Sequence, residues 1–359
     1  MEKTTKQRIA LIGICILILA PFYLLSRSLT PKPKEVTKPT YTPQFIIFSF
    51  DGSKSIDMWK ETRDFEHTMK AAAKPLNFTY FINAAYFLTP DKKDLYQAPR
   101  QDRGQSNIGF SEDLGHLRIR ILAVNEAVAD GDEIASHTAG HYWGGEWSAE
   151  EWLKEFRSFN ALLFGTDTNY PEAHLPKLNL TQRDIVGFRA PALSIGPTLY
   201  IALSLSDFTY DSSEVGNGRE WPKKDSTGIW HIPLGTVHLN HGRSPVVAMD
   251  YSIRASEKKI VGSDTEIESG EKGDLKKGTP AWNAVYHDVL GSYLDYFEKN
   301  YKSNRAPVLI GHHFATWDNF LYWEAMKEFA VQVCGKPEVR CGTFKDLVKY
   351  MNDYGVPKK

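Results

Sequence analysis

An α/β fold built on a parallel sheet is predicted by the order of buried strands and amphipathic helices early in the chain. Residues 45–50 (F-I-I-F-S-F) form a nearly continuous apolar run, which is typical of a strand buried on both faces. Trp59, Phe65 and Met69 follow at helical spacing, and residues 78–82 (F-T-Y-F-I) form a second apolar run. Strand, helix and strand in succession favour a parallel sheet.

The same alternation continues to the carboxyl end of the chain. Further strands are predicted at residues 133–135, 185–188, 208–210, 230–233, 246–252 and 308–310. Helices are predicted after the capping-box pattern Ser148 to Glu151 and at residues 282–301, 323–333 and 344–351. Polar, turn-rich residues 88–115 predict a surface loop, and residues 256–280 predict a mobile excursion. Six or seven alternations without an internal repeat indicate one continuous domain.

The composition is that of an ordinary globular protein and argues against a polyanion partner. The 359 residues are 42% hydrophobic and 24% charged, with 43 basic and 44 acidic side chains. A net charge near zero provides no global field to attract nucleic acid or anionic lipid. Nine Trp and seventeen Tyr would suit stacking on sugar rings, although aromatic residues more often belong to the core.

The amino-terminal residues predict a membrane anchor followed by a linker. Residues 1–8 are basic, and residues 9–25 are apolar and uncharged, the short end of the length that spans a bilayer. We expect an uncleaved signal anchor, with residues 1–8 in the cytoplasm and the body outside the cell membrane. A cleaved signal, giving a secreted or periplasmic protein, is the alternative. Four prolines mark residues 26–44 as an extended linker, and the domain is expected to cover residues 45–355.

Two cysteines near the end of the body form a candidate disulfide. Cys334 and Cys341 are separated by six residues, and Cys15 lies inside the apolar amino-terminal run. In an exported domain Cys334 and Cys341 are expected to pair, and the alternative is two reduced, buried thiols.

A candidate metal site lies in the stretch D-G-D-E-I-A-S-H-T-A-G-H, residues 130–141. A short strand delivers His137 and His141, whose spacing of four places both imidazoles on one face if the turn is helical. Histidine nitrogens are usual ligands of zinc and similar ions. The alternative is two unrelated histidines, one packed and one exposed.

Other polar residues follow the predicted strands directly. Asp51, Arg189 and Asp211 each stand at a strand end, as does the pair His312 and His313. Because the carboxyl ends of parallel strands meet at one rim of a barrel, these groups are expected to converge. The sequence therefore predicts an active site at that rim, with Trp317 just beyond it.

In these segments the chain resembles the polysaccharide deacetylases, the family 4 carbohydrate esterases. The motifs are Ser49-Phe50-Asp51-Gly52, His137-Thr138-x-x-His141, Arg189-Ala190-Pro191, Tyr210-Asp211-Ser212-Ser213 and Ile310-Gly311-His312. They occur in the family's order over residues 45–353, and segments such as G-F-R-A-P and Y-D-S-S are similar to the chitin-deacetylase branch. The resemblance implies a distorted (β/α) barrel in a single domain.

The resemblance also implies hydrolysis of N-acetyl groups on an aminosugar polymer such as peptidoglycan or chitin-like glycan, with release of acetate. His137 and His141 would hold zinc or a similar divalent metal. Asp51 would act as general base, with Arg189 orienting it or balancing its charge. His312 would protonate the leaving amine, tuned by Asp211. Substrate-binding positions would be Pro191, Trp317 and Ile310.

Three features depart from the family pattern or leave alternatives open. Gly52 occupies the place of the second Asp, the usual third metal ligand, so that a glycan-binding protein without turnover is an alternative function. Ala192 replaces an aromatic residue and predicts a wider groove. Adjacent strand residues point to opposite sides, so only one of His312 and His313 can face the rim, and the hydrophobic-x-His pattern favours His312. A hydrolase acting on a small amide is a further alternative.

Overall fold

The computed structural model describes residues 40–240, 244–261 and 274–357, and its centre is a parallel sheet. The strands are β1 Gln44–Asp51, β2 Phe78–Ile82, β3 Glu133–Ser136, β4 Gly187–Phe188, β5 Tyr210–Asp211, β6 Lys223–Lys224, β7 Trp230–His231, β8 Thr236–Val237, β9 Val246–Val247, β10 Val308–His313 and β11 Val339–Gly342. The helices are α1 Ile56–Ala71, α2 Leu114–Asp130, α3 Ala149–Phe164, α4 Thr166–Asn169, α5 Pro197–Ser204, α6 Asp250–Val261, α7 Pro280–Tyr301, α8 Trp317–Val333 and α9 Phe344–Tyr354.

The sheet runs β10-β1-β2-β3-β4-β5-β7-β6 and curls into a half-barrel. All pairings on this path are parallel except that of β6 with β7, and β11 adds a parallel pairing to β1. Strands β8 and β9 form a separate antiparallel pair. The predicted α/β fold with a parallel sheet is therefore confirmed.

Strand β1 lies at the centre of the hydrophobic core. Ile46, Phe48 and Phe50 face one apolar cluster, and Phe45 and Ile47 face another, so the strand is buried on both sides as its sequence predicts. Each fully buried side chain of this size stabilises the fold by about 1.5–3 kcal/mol. This burial fixes the strand whose last residue is Asp51.

Helix α3 begins as the sequence predicts. The Ser148 Oγ accepts from the Glu151 N–H at 3.2 Å, and the Glu151 carboxylate accepts from the Ser148 N–H at 2.7 Å. Trp152, Phe156 and Phe159 lie on the buried face of the helix. The capping box and the apolar stripe together position α3 against the sheet.

One predicted strand is wrong in its second half. Only Val246 and Val247 form a strand, whereas Asp250 begins helix α6 and its carboxylate accepts from the Tyr251 N–H at 2.7 Å. An acid at a helix amino terminus is stabilised by the exposed N–H groups there, and this local preference outweighs the apolar run before it. Helix α6 also extends into the predicted excursion, of which residues 262–273 lie outside the described residues.

The predicted disulfide is present, and the predicted anchor lies outside the described residues. Cys334 and Cys341 are bonded, with their Cα atoms 5.8 Å apart, and join the end of α8 to β11. Strand β11 itself was not predicted. Within the described ranges, no helix combines the length and the apolar content that crossing a bilayer requires.

Candidate active site

The carboxyl ends of the long parallel strands bring polar side chains together. Asp51 and His313 are the last residues of β1 and β10 and lie opposite each other in the parallel register. His137 follows β3, and Arg189 follows β4. Asp51, His137 and Arg189 are almost completely buried. The predicted convergence at one rim is therefore observed for these four residues.

Asp51 and Arg189 form a buried ion pair. The Arg189 Nη1 donates to Asp51 Oδ1 at 2.6 Å and to Ser49 Oγ at 3.1 Å, and its Nε and Nη2 donate to Ser212. Burial raises the pKa of Asp51, but the charges of Arg189, His137 and His313 outweigh it and hold that pKa below its usual range. Asp51 is therefore a carboxylate at neutral pH, with Oδ1 fixed by Arg189.

His137 is held in one orientation by the chain that carries Arg189. Its Nδ1 lies 2.8 Å from the Arg189 carbonyl oxygen, so the Nδ1–H donates there and Nε2 keeps its lone pair. The Nε2 lies 3.9 Å from Asp51 Oδ2. Burial lowers the pKa of His137, so the ring is neutral at pH 7. A backbone-anchored neutral imidazole is the usual form of a metal-binding histidine.

His141 joins His137 through a turn that is not helical. Thr138 and His141 have φ of 66° and 61°, in the left-handed region, and the Thr138 Oγ1 accepts from the His141 N–H at 3.1 Å. The predicted helical geometry is wrong, but the two rings meet edge to face with centroids 4.9 Å apart. Burial, followed by repulsion from His137 and His313, lowers the pKa of His141 to about 3.

The carboxylate of Glu155 on helix α3 holds this turn in place through hydrogen bonds. The sequence analysis did not identify this residue. Its Oε1 accepts from the N–H groups of Ala139 and Gly140 at 2.9 and 3.1 Å, and the Tyr96 hydroxyl donates to the same carboxylate at 2.9 Å. Glu155 lies completely buried on the apolar stripe of α3. An acid at an apolar-face position was the signal, because a buried carboxylate requires partners. Glu155 thereby fixes the turn that carries both histidines.

His313, not His312, faces the site. The side chain opposite Asp51 is that of His313, and it remains 29% exposed at the rim. The ring of His312 packs against Phe50 and Trp323 in the core, with centroids 5.6 and 6.0 Å away. The register of β10 on β1 therefore corrects the expected choice, and burial lowers the pKa of His312.

The carboxylate beside these histidines is Asp250, not Asp211. Asp250 Oδ1 lies 2.6 Å from His313 Nδ1, and its Oδ2 accepts from the His313 N–H at 2.9 Å and lies 3.3 Å from His312 Nδ1. Burial lowers the pKa of His313, but the attraction of Asp250 outweighs it and raises that pKa above its usual value. The acid at the start of α6 was available in the sequence but lay in the segment assigned to a strand.

Asp211 instead supports the chain after β4. It accepts from the Ser213 hydroxyl at 2.5 Å, the same hydroxyl accepts from the Ala190 N–H at 2.8 Å, and the His231 Nδ1 lies 4.0 Å away. Burial raises the pKa of Asp211 to about 6. The predicted pairing of Asp211 with His312 is therefore replaced by a connection to the segment that carries Arg189.

The three predicted substrate-binding residues have different positions. Trp317 is partly buried beside the site, with its ring centroid 5.6 Å from that of His313 and 5.9 Å from that of Tyr251, which is 46% exposed. Ile310 belongs to the core cluster, and Pro191 is buried at the start of a 3₁₀ turn. Ile310 and Pro191 are not available to a substrate because close packing covers them.

Two histidines of the site suit a divalent metal, and the described residues provide no third side-chain ligand beside them. His137 and His141 are neutral, and the His141 Nδ1 has no hydrogen-bond partner in the described part of the chain. No group of three or more His, Cys, Asp or Glu side chains among the described residues could hold a metal ion. Gly52 supplies no ligand, and a Cβ at its position would meet no atom within 4 Å.

Comparisons with known proteins agree with this architecture. No family model matches the chain. Chitin deacetylase 1 of Bombyx mori is 23% identical over 252 residues, which cover 64% of this chain, and the chain spans only 43% of that relative's length.

Two solved structures share the fold. One is from Mycobacterium smegmatis (TM-score 0.51, 12% identity, 91% of this chain and 97% of the other). The second is from Pseudomonas aeruginosa PAO1 (0.50, 12%, 90% and 96%). The first protein is described as a putative and the second as a probable polysaccharide deacetylase. The resemblance to the polysaccharide deacetylases is confirmed, and the chain has their fold.

Proposed function

We propose that this protein is a polysaccharide N-deacetylase, which hydrolyses N-acetyl groups on an aminosugar polymer and releases acetate. The observation that carries the proposal is the juxtaposition of Asp51 and His313 on adjacent strands, each beside its own counter-charge. A carboxylate that accepts a proton and an imidazolium that donates one can serve as the general base and the general acid of amide hydrolysis. The sequence similarity to a chitin deacetylase supports the substrate class.

Asp51 is the proposed general base. Arg189 binds Oδ1, which leaves Oδ2 to accept a proton from a water molecule on the His137 side of the carboxylate. The water oxygen forms the new bond to the acetyl carbon. Arg189 keeps Asp51 ionised and oriented, at the cost of some basicity, because the ion pair lowers the pKa of the carboxyl group.

His313 is the proposed general acid. When the carbon–nitrogen bond of the amide breaks, the protonated His313 donates its proton to the nitrogen of the departing sugar amine. Asp250 fixes the ring through Nδ1 and favours the protonated form. The products are acetate and a free amine on the polymer.

His137 and His141 are the proposed ligands of a divalent metal, which we expect to be zinc. When bound, the ion supplies positive charge that polarises the amide carbonyl and makes water easier to deprotonate. Holding the His137 tautomer through the Arg189 carbonyl and fixing the turn through Glu155 are the contributions of the chain itself. With two protein ligands, we expect weak retention of the metal.

Tyr251 and Trp317 are proposed to contact the polymer. Their rings form an aromatic pair next to His313, and aromatic faces stack on sugar rings. Peptidoglycan and chitin-like glycan both present the required N-acetylglucosamine units. We propose that the protein acts outside the cytoplasm, attached to the membrane by the apolar segment at residues 9–25.

A second candidate function is glycan binding without turnover. The observation that favours it is Gly52, which leaves the histidine pair without a third side-chain ligand among the described residues. The aromatic pair beside His313 would serve either function.

Acetate release distinguishes the two functions. The full-length protein is assayed on N-acetylglucosamine oligomers and on peptidoglycan, with added zinc and with a chelator, and the His137→Ala variant is the control. Release that depends on zinc and on His137 supports the deacetylase, and the preferred polymer identifies the substrate. Release by His137→Ala at the wild-type rate would refute the metal assignment. Oligomer binding without release under any metal would establish the second function.

A further inference from the structure

A large cavity lies at the amino-terminal end of the sheet, away from the active site. Its volume is about 1180 Å³. Thr42, just before β1, and Asn304 and Arg305, just before β10, contribute to its wall, together with residues from β6 and β7. The active-site residues stand at the opposite ends of β1 and β10. Seven residue steps along β1 separate Gln44 from Asp51, which corresponds to about 23 Å.

The wall of this cavity carries an excess of positive charge. Four cationic side chains line it, Arg219, Lys223, Lys224 and Arg305, against one carboxylate, Glu220. Of the four, only Arg305 has a carboxylate within 4.0 Å among the described residues, the Glu338 carboxylate 2.8 Å from its Nη2. A protein with a net charge of −1 therefore concentrates positive charge here.

Hydrogen bonds hold two indole rings and a lysine of the wall in place. The Trp221 Nε1–H donates to the Asn304 carbonyl oxygen at 2.9 Å, and the Trp230 Nε1–H donates to Asn352 Oδ1 at 3.0 Å. The Lys224 ammonium donates to the same Asn352 oxygen at 3.1 Å and lies 5.4 Å from the centre of the Trp230 ring. Contacts between distant chain segments thus position the cavity before any ligand arrives, which lowers the entropy cost of binding.

Arg305 contributes its charge to this wall and not a free hydrogen-bond donor. Its Nη2 is bound to Glu338, and its Nη1 is buried and makes no hydrogen bond within the described ranges, so a ligand in the cavity would not reach that atom. The cations left for an anion are Arg219, Lys223 and Lys224, none of which has a carboxylate within 4.0 Å in the described part of the chain. Phosphate and carboxylate oxygens pair well with such side chains.

We propose that this cavity binds a segment of a polymer that bears closely spaced carboxylate or phosphate groups. Its volume exceeds the usual range of small-molecule sites, which favours a polymer segment over a single small anion. The near-neutral composition argued against a polyanion partner, but composition averages over the surface and does not detect one cationic cavity. The proposal does not depend on the proposed enzymatic function, since the cavity shares no residue with the active site.

The test measures binding to three polymers of similar length. Full-length protein is titrated with polygalacturonate, with inorganic polyphosphate and with neutral dextran, and the fluorescence of the tryptophans, two of which line the cavity, reports binding. We expect one or both anionic polymers to bind, dextran not to bind, and affinity to fall steeply as salt rises. Preference for polygalacturonate identifies carboxylates as the recognised groups, and preference for polyphosphate identifies phosphates.

A matched pair of variants assigns the binding to the cavity. Lys223→Glu with Lys224→Glu reverses two charges of the wall on the exposed edge strand β6, and Lys92→Glu with Lys93→Glu makes the same change at another adjacent pair. We expect the first double variant to lose at least tenfold in affinity and the second to stay within twofold of wild type, with near-ultraviolet circular dichroism showing that both are folded. Equal losses in the two double variants, or no binding of either anionic polymer by wild type, would overturn the proposal.

Discussion

Replacing Asp250 by Asn should move the alkaline limit of activity to lower pH. Asp250 is completely buried and contacts His313 through Oδ1 at 2.6 Å, so its negative charge favours the protonated ring. Asparagine keeps the size of the side chain but removes that charge. A hydrogen bond to a charged group contributes about 1.5–3 kcal/mol, and each 1.36 kcal/mol corresponds to a factor of ten. The protonated form of His313 should therefore become roughly 10- to 150-fold less favoured.

The direction of the effect follows from the role of His313. A general acid works in its protonated form, and Asp250 raises the pKa of His313, which extends activity towards alkaline pH. In Asp250→Asn, kcat/KM should approach that of wild type at acid pH and fall by roughly 10- to 150-fold on the alkaline side of the wild-type profile.

The assay is kcat/KM for acetate release from an N-acetylglucosamine oligomer across pH 5 to 10, at constant ionic strength. Asp211→Asn is the matched control, because Asp211 is equally buried but accepts a hydrogen bond from Ser213 and does not contact His313. Its alkaline limit should coincide with that of wild type. A wild-type profile for Asp250→Asn, or an equal shift of the alkaline limit to lower pH in Asp211→Asn, would refute the assignment of Asp250 as the partner of His313.

Three further predictions concern the metal, the histidine turn and the disulfide. Gly52→Asp should increase the zinc retained after dialysis, since the new side chain has open space and the left-handed φ of 84° costs about 1–2 kcal/mol. Gly228→Asp, at a similarly open left-handed position, should leave the zinc content unchanged in elemental analysis. Glu155→Ala should lower the free energy of unfolding by about 3 kcal/mol or more in urea titration, because it leaves two buried N–H groups without an acceptor. Glu155→Gln keeps an acceptor and should lose less stability. Equal losses in the two variants would contradict the role given to this carboxylate. Replacing Cys334 and Cys341 by Ser should cost about 2.5 kcal/mol of stability for so short a loop, with activity at 25 °C retained; unchanged thermal unfolding would show that the bond contributes nothing.

Long buried elements were predictable from the sequence, because their signal is the hydrophobic pattern itself. Strand β1 appears within one residue of its predicted bounds, and helix α3 begins at the predicted capping box, since these positions bury their apolar side chains. Strands β4, β5 and β7 contain only two residues each, and β11 is partly exposed, so their patterns are too short to fix bounds. Tertiary pairing decides such elements.

The site was predictable in its residue types and less so in its geometry. Asp51, Arg189, His137 and His141 lie together as the motifs indicated. The choice between His312 and His313 depends on the register between two strands distant in sequence, which no local pattern contains. Asp250 was assigned to a strand because the apolar run before it favours a strand, and only the contact of its own carboxylate with the Tyr251 N–H marks the start of the helix.

Arg189 contributes both to the active site and to the stability of the curved sheet. It follows β4, and its guanidinium reaches Ser49 and Asp51 on β1 on one side and Ser212 after β5 on the other. Its hydrogen bonds therefore connect β1 to the ends of β4 and β5, although β1 pairs directly with neither strand. Removing it would leave the Asp51 carboxylate buried without its partner, a loss of about 3–5 kcal/mol. An inactive Arg189 variant would consequently report on assembly of the half-barrel as much as on hydrolysis, and selection for a folded chain alone would preserve this arginine even after activity had been lost.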